Sequence, residues 1–328
     1  MLRGEVITEG WRSEDVKDAL DGCLACKGCR SDCPTHTDMA AYKAEFLSHY
    51  YEGRRRPVQA WSMGRIGEWA PLAGRFPGLA NFFTQAPGFA ALAKMVAGIA
   101  PERAMPRFAE VDFRAQFAAR QPRDGEPVVL WVDTFTNHFR PGTGIAAVEV
   151  LEAAGCRVEI PRERLCCGRP YYDFGMLDQA KRALERVMTA LGAQINAGVP
   201  VVGLEPSCVA VFRDELLQLF PDDARARRLA RQTFTLGEFL AKRGWNPRRG
   251  LKQNALLHGH CHQKSLIGMH SDAALLAAAG IEAETPDTGC CGMAGAYGFK
   301  PEHYATSQKI GELALLPAVR AAPAETLI

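Results

Sequence analysis

Gly155-Cys-Arg-Val-Glu-Ile-Pro161-Arg-Glu-Arg-Leu-Cys166-Cys167-Gly168 and Gly280-Ile-Glu-Ala-Glu-Thr-Pro286-Asp-Thr-Gly-Cys290-Cys291-Gly292 read as two copies of one unit. In each copy a glycine ends a helix, a short strand follows, a proline closes the strand, and a loop delivers a vicinal Cys-Cys-Gly. Glycine to proline is six residues in both copies, and proline to the first cysteine is five and four. Upstream, 128–132 and 254–258 are apolar runs suited to buried parallel strands. Helices are expected over 144–154 and 271–279, and again after the cysteines over 177–191 and 301–318. This is an internal duplication of a βαβ-type unit.

The register reaches further. In copy one a third strand, 199–204, ends in Glu205-Pro-Ser-Cys208, and Cys208 follows Cys167 by 41 residues. The same interval from Cys291 passes Ile328, and 325–328 reads as the start of the matching strand. The last cysteine of copy two is therefore expected beyond Ile328. Between the copies, 222–240 reads as helical, followed by a basic turn, Asn246-Pro-Arg-Arg-Gly250.

The N-terminal part has a different character. Residues 13–22 predict a short helix with Ser13 as N-cap and Gly22 as stop. Then come Cys23-Leu-Ala-Cys26-Lys-Gly-Cys29-Arg-Ser-Asp-Cys33-Pro34 and a longer helix over 38–51. Residues 54–110 carry Arg54-Arg55-Arg56, then Trp61, Trp69, Phe76, Phe82, Phe83 and Phe89, cut by prolines into short helices or turns. The arginine run reads as a solvated face. The aromatics form either an interdomain packing surface or a peripheral membrane contact. The breaker-rich 121–127 marks a domain boundary.

Composition narrows the function classes. The 328 residues are 47% hydrophobic, enough for a sizeable core. Thirty-nine Lys and Arg against 37 Asp and Glu leave a charge of +2, which gives no reason to expect nucleic acid. Eleven cysteines, bunched rather than spread, do not resemble a secreted disulfide framework. Charge in Met1-Leu-Arg-Gly-Glu5 argues against a signal peptide, and no apolar run is long enough to span a bilayer. A reducing cytoplasm is the expected compartment.

The spacing Cys-x2-Cys-x2-Cys-x3-Cys-Pro is specific for a [4Fe–4S] cluster: Cys23, Cys26 and Cys29 wrap one face, and the fourth, Cys33, serves the other cluster of a pair. Zinc is the alternative, but it normally takes two ligand pairs set well apart. The motif then lacks a partner in this chain. Either a Cys-Cys-Gly cysteine completes it, which is topologically awkward, or a second motif lies upstream; the second is favoured. Vicinal cysteines at a strand-to-helix turn splay to two irons or form a redox disulfide, the glycine allows close backbone approach, and a helix N-terminus favours thiolate. Cys166, Cys167 and Cys208 belong to copy one; Cys261, Cys290 and Cys291 belong to copy two, with Cys261 in a loop whose counterpart is near Thr136-Asn137-His138. Cys156 reads as a core thiol. His258, His260 and His262 read as structural. No dinucleotide fingerprint, flavin motif or hydrolytic triad is evident, so no catalytic residue is assigned.

These stretches, with Asp38-Met-Ala-Ala-Tyr-Lys-Ala-Glu-Phe-Leu47, Cys166-Cys-Gly-Arg-Pro-Tyr-Tyr172 and Gly289-Cys-Cys-Gly-Met-Ala-Gly295, resemble the C-terminal iron–sulfur half of FAD-linked D-2-hydroxyacid dehydrogenases of the D-lactate/D-2-hydroxyglutarate type. They also resemble the cysteine-rich domains of heterodisulfide-reductase-like proteins, although Glu205 stands where the latter have cysteine. The resemblance implies FAD on a partner or on a preceding portion, an upstream cysteine motif, and electron flow to a quinone or other carrier. The expected fold is α+β: an all-α ferredoxin-like [4Fe–4S] domain (1–56), a Pro-rich helical connection (57–120), and two tandem α/β repeats with small parallel sheets (126–245 and 251–328, the second cut short). The expected function is an iron–sulfur electron-transfer module. The alternatives are a thiol–disulfide oxidoreductase subunit or a non-catalytic metal-binding fragment of a split enzyme.

Overall fold

A computed structural model describes residues 7–247 and 250–328; residues 1–6, which include the charged Met1–Glu5 start, and the Arg248-Arg249 portion of the basic turn lie outside them. Ser13 caps α1 (Glu14–Asp21) by accepting the Val16 N–H, and Gly22 ends it. A cysteine loop follows, in which Ala25 and Lys27 take positive φ (52° and 61°) and Lys27 leads into α2 (Gly28–Asp32). Asp38 caps α3 (Met39–Tyr50), whose Phe46, Leu47 and Tyr50 pack with Leu20 of α1 in a small core.

The Pro-rich stretch forms α4 (Val58–Ser62), α5 (Ile66–Ala73), α6 (Pro77–Gln85) and α7 (Phe89–Ala97), followed by α8 (Phe113–Ala118). Pro57 and Pro77 sit at helix starts as expected, but Pro71 lies inside α5 and does not break it.

After the coil at 121–124 comes β1 (Glu126–Trp131), then α9 (Thr134–His138), α10 (Pro141–Ala153) and β2 (Cys156–Glu159). Beyond the first Cys-Cys-Gly lie α11 (Arg169–Asp173), α12 (Leu177–Ala190), α13 (Gly192–Ala197), β3 (Val201–Gly203), α14 (Pro206–Arg213) and α15 (Glu215–Leu219). The run 222–240 is not one helix. It is α16 (Ala224–Gln232), a strand β4 (Thr233–Thr235) and α17 (Leu236–Lys242). Thr235 and Glu238 form a capping box that starts α17, and the β-branched threonines pair with β3.

The four strands are parallel in the order β2-β1-β3-β4. Alternation along β1 builds a core on each face. Val129 and Trp131 pack with α12, α13, α14 and α16; Val128 and Leu130 pack with Phe113, α10 and α17. Cys156 is 1% exposed in the second core, a core thiol as read from sequence.

The last part contains β5 (Gln253–Leu256), α18 (Cys261–Leu266), α19 (His270–Ala278), β6 (Ile281–Glu284), α20 (Tyr304–Glu312) and α21 (Leu315–Ala321). Cys261 thus opens a helix rather than sitting in a loop, and Leu313-Ala314 breaks the helix expected over 301–318. β5 and β6 are parallel. On the other edge of β5, Leu327 bridges Ala255, exchanging bonds with Asn254 O (3.0 Å) and the Leu256 N–H (2.8 Å). Leu327 therefore joins the sheet where a third strand belongs, and β6-β5-Leu327 repeats the order β2-β1-β3.

Candidate metal and redox centre

The first thiol group sits at the C-terminal ends of β1 and β3, where parallel α/β sheets open a crevice. Asp133 ends β1 and caps α9; Glu205 ends β3 and caps α14, whose first turn carries Cys208. The loop after β2 brings Cys166 and Cys167 alongside. Cys167 and Cys208 lie with Sγ atoms 3.1 Å apart, and the Gly168 N–H points at Cys166 Sγ (3.5 Å). Gly168 has φ +87°, and an added Cβ would stand 3.2 Å from Ala180 O of α12. From outside, Gly67 of α5 covers the pair so closely that a Cβ there would lie 3.1 Å from Cys166 Sγ.

These three cysteines line a cavity of about 50 Å³ with Trp131, Asp133 and Arg169. Trp131 Nε1, Arg169 Nε and Asp133 Oδ2 are buried there without partners. Burial raises the Asp133 carboxyl, while its other oxygen accepts the Phe135 and Thr136 N–H groups. Unpaired donors on Trp131 and Arg169 and three thiols around one small space fit a group rich in acceptor atoms, as the sulfides of an iron–sulfur cluster are.

In the second group, Cys261 opens α18 and lies close enough to Cys290, the chain neighbour of Cys291, for the thiols to shift one another's ionisation. The Gly292 N–H points at Cys290 Sγ (3.3 Å). Gly292 has φ +84°, and a Cβ there would fall 2.1 Å from Ser307 O of α20. Both Cys-Cys-Gly glycines thus take left-handed backbone and pack against a later helix, α12 in the first case and α20 in the second. Thr134 holds in α9 the first helical place that Cys261 holds in α18, two residues before the expected Thr136. The second Cys-Cys-Gly leads into turns and a 3-10 segment, Tyr297–Phe299, rather than directly into a helix.

The N-terminal cysteine loop is wedged between the two groups. His262 Nε2 donates to Ala25 O (2.9 Å), Ser265 Oγ to Cys26 O (3.2 Å), and Lys43 Nζ to Cys23 O (2.7 Å). Cys26 lies close enough to Cys261 for its charge to act on it. On the other side Lys27, with a fully buried side chain, pairs with Asp38, Asp214 and Glu215, and Arg169 joins the same network 2.6 Å from Glu215. Backbone N–H groups of Ala25 and Met39 point at Cys23 Sγ (3.5 Å) and Cys29 Sγ (3.4 Å), the N–H···S pattern that a thiolate-bound cluster requires. Cys33 faces Thr35 Oγ1 at 3.1 Å. The structure thus brings Cys26, but not Cys33, toward the second Cys-Cys-Gly group. All eleven cysteines are free thiols, and among the described residues no three His, Cys, Asp or Glu side chains converge on a single-ion site.

Neighbouring thiols, together with burial, reverse the expectation that a helix terminus holds the vicinal cysteines as thiolates. The Cys167 thiol and burial raise Cys166. The Cys166 thiol pulls Cys167 down, but Cys208 and burial outweigh it and leave Cys167 well raised. The Cys167 thiol likewise pulls Cys208 down, and burial with Asp133 and Glu205 carries it up. Cys261 raises Cys290, and Cys290 with burial pushes Cys291 up to about 12. Two thiols go the other way: hydrogen bonding lowers Cys261 through Cys290, and lowers Cys33 to about 6 through Thr35. Burial pushes His262 down to about 2, so it stays a neutral donor to Ala25 O, a structural histidine. His258 bonds Thr288, and His260 accepts the His262 N–H. Lys27, Trp131, Asp133, Arg169 and Gly67 carry much of the site, and reading the sequence missed them. Only Asp133 had a local signal, as a polar cap just after a strand.

The cysteine-rich domain (CCG) family model matches residues 133–213 and 262–318. The chain is 26% identical over 325 residues to D-2-hydroxyglutarate dehydrogenase of Escherichia coli, covering 95% of this chain and 32% of that protein. It is 29% identical over 219 residues to one component of the anaerobic glycerol-3-phosphate dehydrogenase of Escherichia coli, covering 64% of this chain and 54% of that component. It is 33% identical over 183 residues to lactate utilization protein A of Bacillus velezensis, covering 53% of this chain and 75% of the relative. The chain spans about a third of the length of the D-2-hydroxyglutarate dehydrogenases that it matches. No solved structure matches it. With its paired Cys-Cys-Gly turns and these relatives, the chain belongs to the CCG cysteine-rich domain family.

Proposed function

We propose that this chain is the iron–sulfur electron-transfer module of a flavin-linked D-2-hydroxyacid dehydrogenase of the D-lactate/D-2-hydroxyglutarate type. FAD would lie on a partner protein or another portion, and the acceptor would be a quinone or another carrier. Cys23, Cys26 and Cys29 would hold a [4Fe–4S] cluster, with Cys33 turned toward a second motif. The cysteines of two tandem CCG units would hold or guard further redox groups. Such a cluster, when bound, supplies reversible one-electron storage. The chain's own part is to present thiolates, surround them with N–H donors and keep water out.

One observation carries this reading: the N-terminal cysteine loop is clamped between the two Cys-Cys-Gly groups, with Cys26 beside Cys261. Closely spaced centres are what electron transfer needs. Anaerobic reconstitution, with iron and sulfide analysis and EPR of the dithionite-reduced protein, tests it. A reducible cluster signal that disappears in Cys29→Ser is expected; a fully thiol-intact protein that takes up no iron would overturn the reading. A second reading, thiol–disulfide chemistry, is favoured by the Cys167–Cys208 approach of 3.1 Å. Under that reading the reduced protein, without iron, would be oxidised stoichiometrically by an added organic disulfide.

A further inference from the structure

Helices α6 and α7 pack on each other, yet neither contains a buried residue. Phe82, Phe83 and Phe89 gather with ring centroids 5.3–5.5 Å apart. Around them Phe76, Leu79, Leu92, Met95 and Val96 stand exposed, Met95 by 70%. Trp61 and Trp69 flank the patch, also exposed. A stable fold does not normally leave so large a continuous apolar surface to water.

Charge says what covers it. Residues 76–101 contain a single charged side chain, Lys94. The wider stretch 54–107 holds eight Lys and Arg against two Glu, while the whole chain carries only +2. An apolar, aromatic hairpin that carries Lys94, has no carboxylate over 76–101 and is flanked in sequence by the exposed Arg75 and Arg107 complements an anionic lipid surface. The helices are nine residues each, about 14 Å long, which is too short to span a bilayer but enough to lie in its interface. No helix among the described residues is long and apolar enough to cross a membrane.

We infer that the α5–α7 hairpin is a monotopic membrane-docking element that seats the protein on anionic bilayers, with Phe76, Leu79, Phe82, Leu92 and Met95 entering the interface. The rest of the fold holds the hairpin firmly. The Ala100 N–H bonds Phe299 O (2.7 Å), Arg103 donates to Gly298 O and Ser307 Oγ, and Glu68 accepts from Tyr171 (2.8 Å). Because α5 lies directly against Cys166, docking brings the first thiol group to the membrane surface, within reach of an acceptor dissolved in lipid. The inference does not depend on the bound clusters, since lipid binding is read without electron transfer.

The test is co-sedimentation of the full chain with phosphatidylcholine vesicles, with and without phosphatidylglycerol, at low and high salt. Binding to the anionic vesicles is expected, weaker on neutral ones and reduced by salt. The exposed double substitution Leu79→Ser with Met95→Ser, and separately Arg75→Glu, should each lower the bound-to-free ratio about tenfold without changing the circular dichroism spectrum. Three results would overturn it: no binding to either vesicle by the folded protein, undiminished binding by both variants, or a lipid-free dimer that the double substitution abolishes while vesicle binding is absent. The last would make the face a self-association surface. A lipid-inert chain whose hairpin is covered only after mixing with a flavoprotein would assign the face to that partner instead.

Discussion

Lys27 Nζ lies 2.9 Å from Glu215 Oε1, joining the turn between Cys26 and Cys29 to the start of α15, 188 residues away along the chain. Lys27 is fully buried and also pairs with Asp38 at 3.1 Å and with Asp214. An ammonium in such a place stays charged because carboxylates surround it: burial pulls it down, and Glu215 and Asp214 more than restore it.

Lys27→Met should therefore destabilise the protein by about 3–5 kcal/mol, because it leaves buried carboxylates uncompensated. Urea unfolding of the apo chain measures this. Restoration of much of the loss by adding Asp214→Asn would identify the unpaired charge as the cause, and an unchanged midpoint in Lys27→Met would remove the clamp from the account.

Asp214 sets the acid limit of this network. Burial pushes its carboxyl up, but Lys27 and Arg30 win and hold it below the usual 3.8. A depressed carboxyl contributes stability above its unfolded value and loses it as pH falls through its folded value. Asp214→Asn should cost about 2 kcal/mol at neutral pH, and the gap from the parent should close below pH 3.8. A gap of constant size down to the acid transition would show that Asp214 does not titrate this way.

The two Cys-Cys-Gly glycines should differ in tolerance. Both require left-handed backbone, which costs an alanine about 1–2 kcal/mol. At Gly168 the nearest atom to a Cβ is 3.2 Å away, so Gly168→Ala should fold with a modest loss. At Gly292 the Ser307 carbonyl would be 2.1 Å away, so Gly292→Ala should displace α20 and expose 290–312 to limited proteolysis. Equal protease resistance of the two variants would contradict the close approach.

Thiol reactivity should follow burial and hydrogen bonding. In the apo chain at pH 7, iodoacetamide should modify Cys33 first, since Thr35 holds it at about 6, and Cys167 and Cys208 last. Peptide mapping over a time course reads the order. After mild oxidation the same mapping should find Cys167 joined to Cys208 rather than to Cys166, as the 3.1 Å approach implies.

Much of this protein was legible from its residues. Ser13 and Gly22 announced helix ends because caps act within a few residues. The six-residue interval from glycine to proline placed β2 and β6, and the repeat register anticipated strand character at 325–328, where Leu327 bridges β5. The break of 222–240 into helix, strand and helix escaped notice because Thr233–Thr235 becomes a strand only by pairing with β3.

The α+β class and the two glycines that turn the Cys-Cys-Gly runs were written in the order of residues, since each depends on backbone conformation and spacing over a short stretch. Which thiols meet, and what holds them, was settled by tertiary packing. Cys26 beside Cys261, His262 on Ala25 and Lys27 between Asp214 and Glu215 join positions about two hundred residues apart. No local pattern encodes such contacts, because they form only when separately folded elements bury their faces against one another. The same holds for the thiol neighbours and the burial that together turned the vicinal cysteines from expected thiolates into raised thiols.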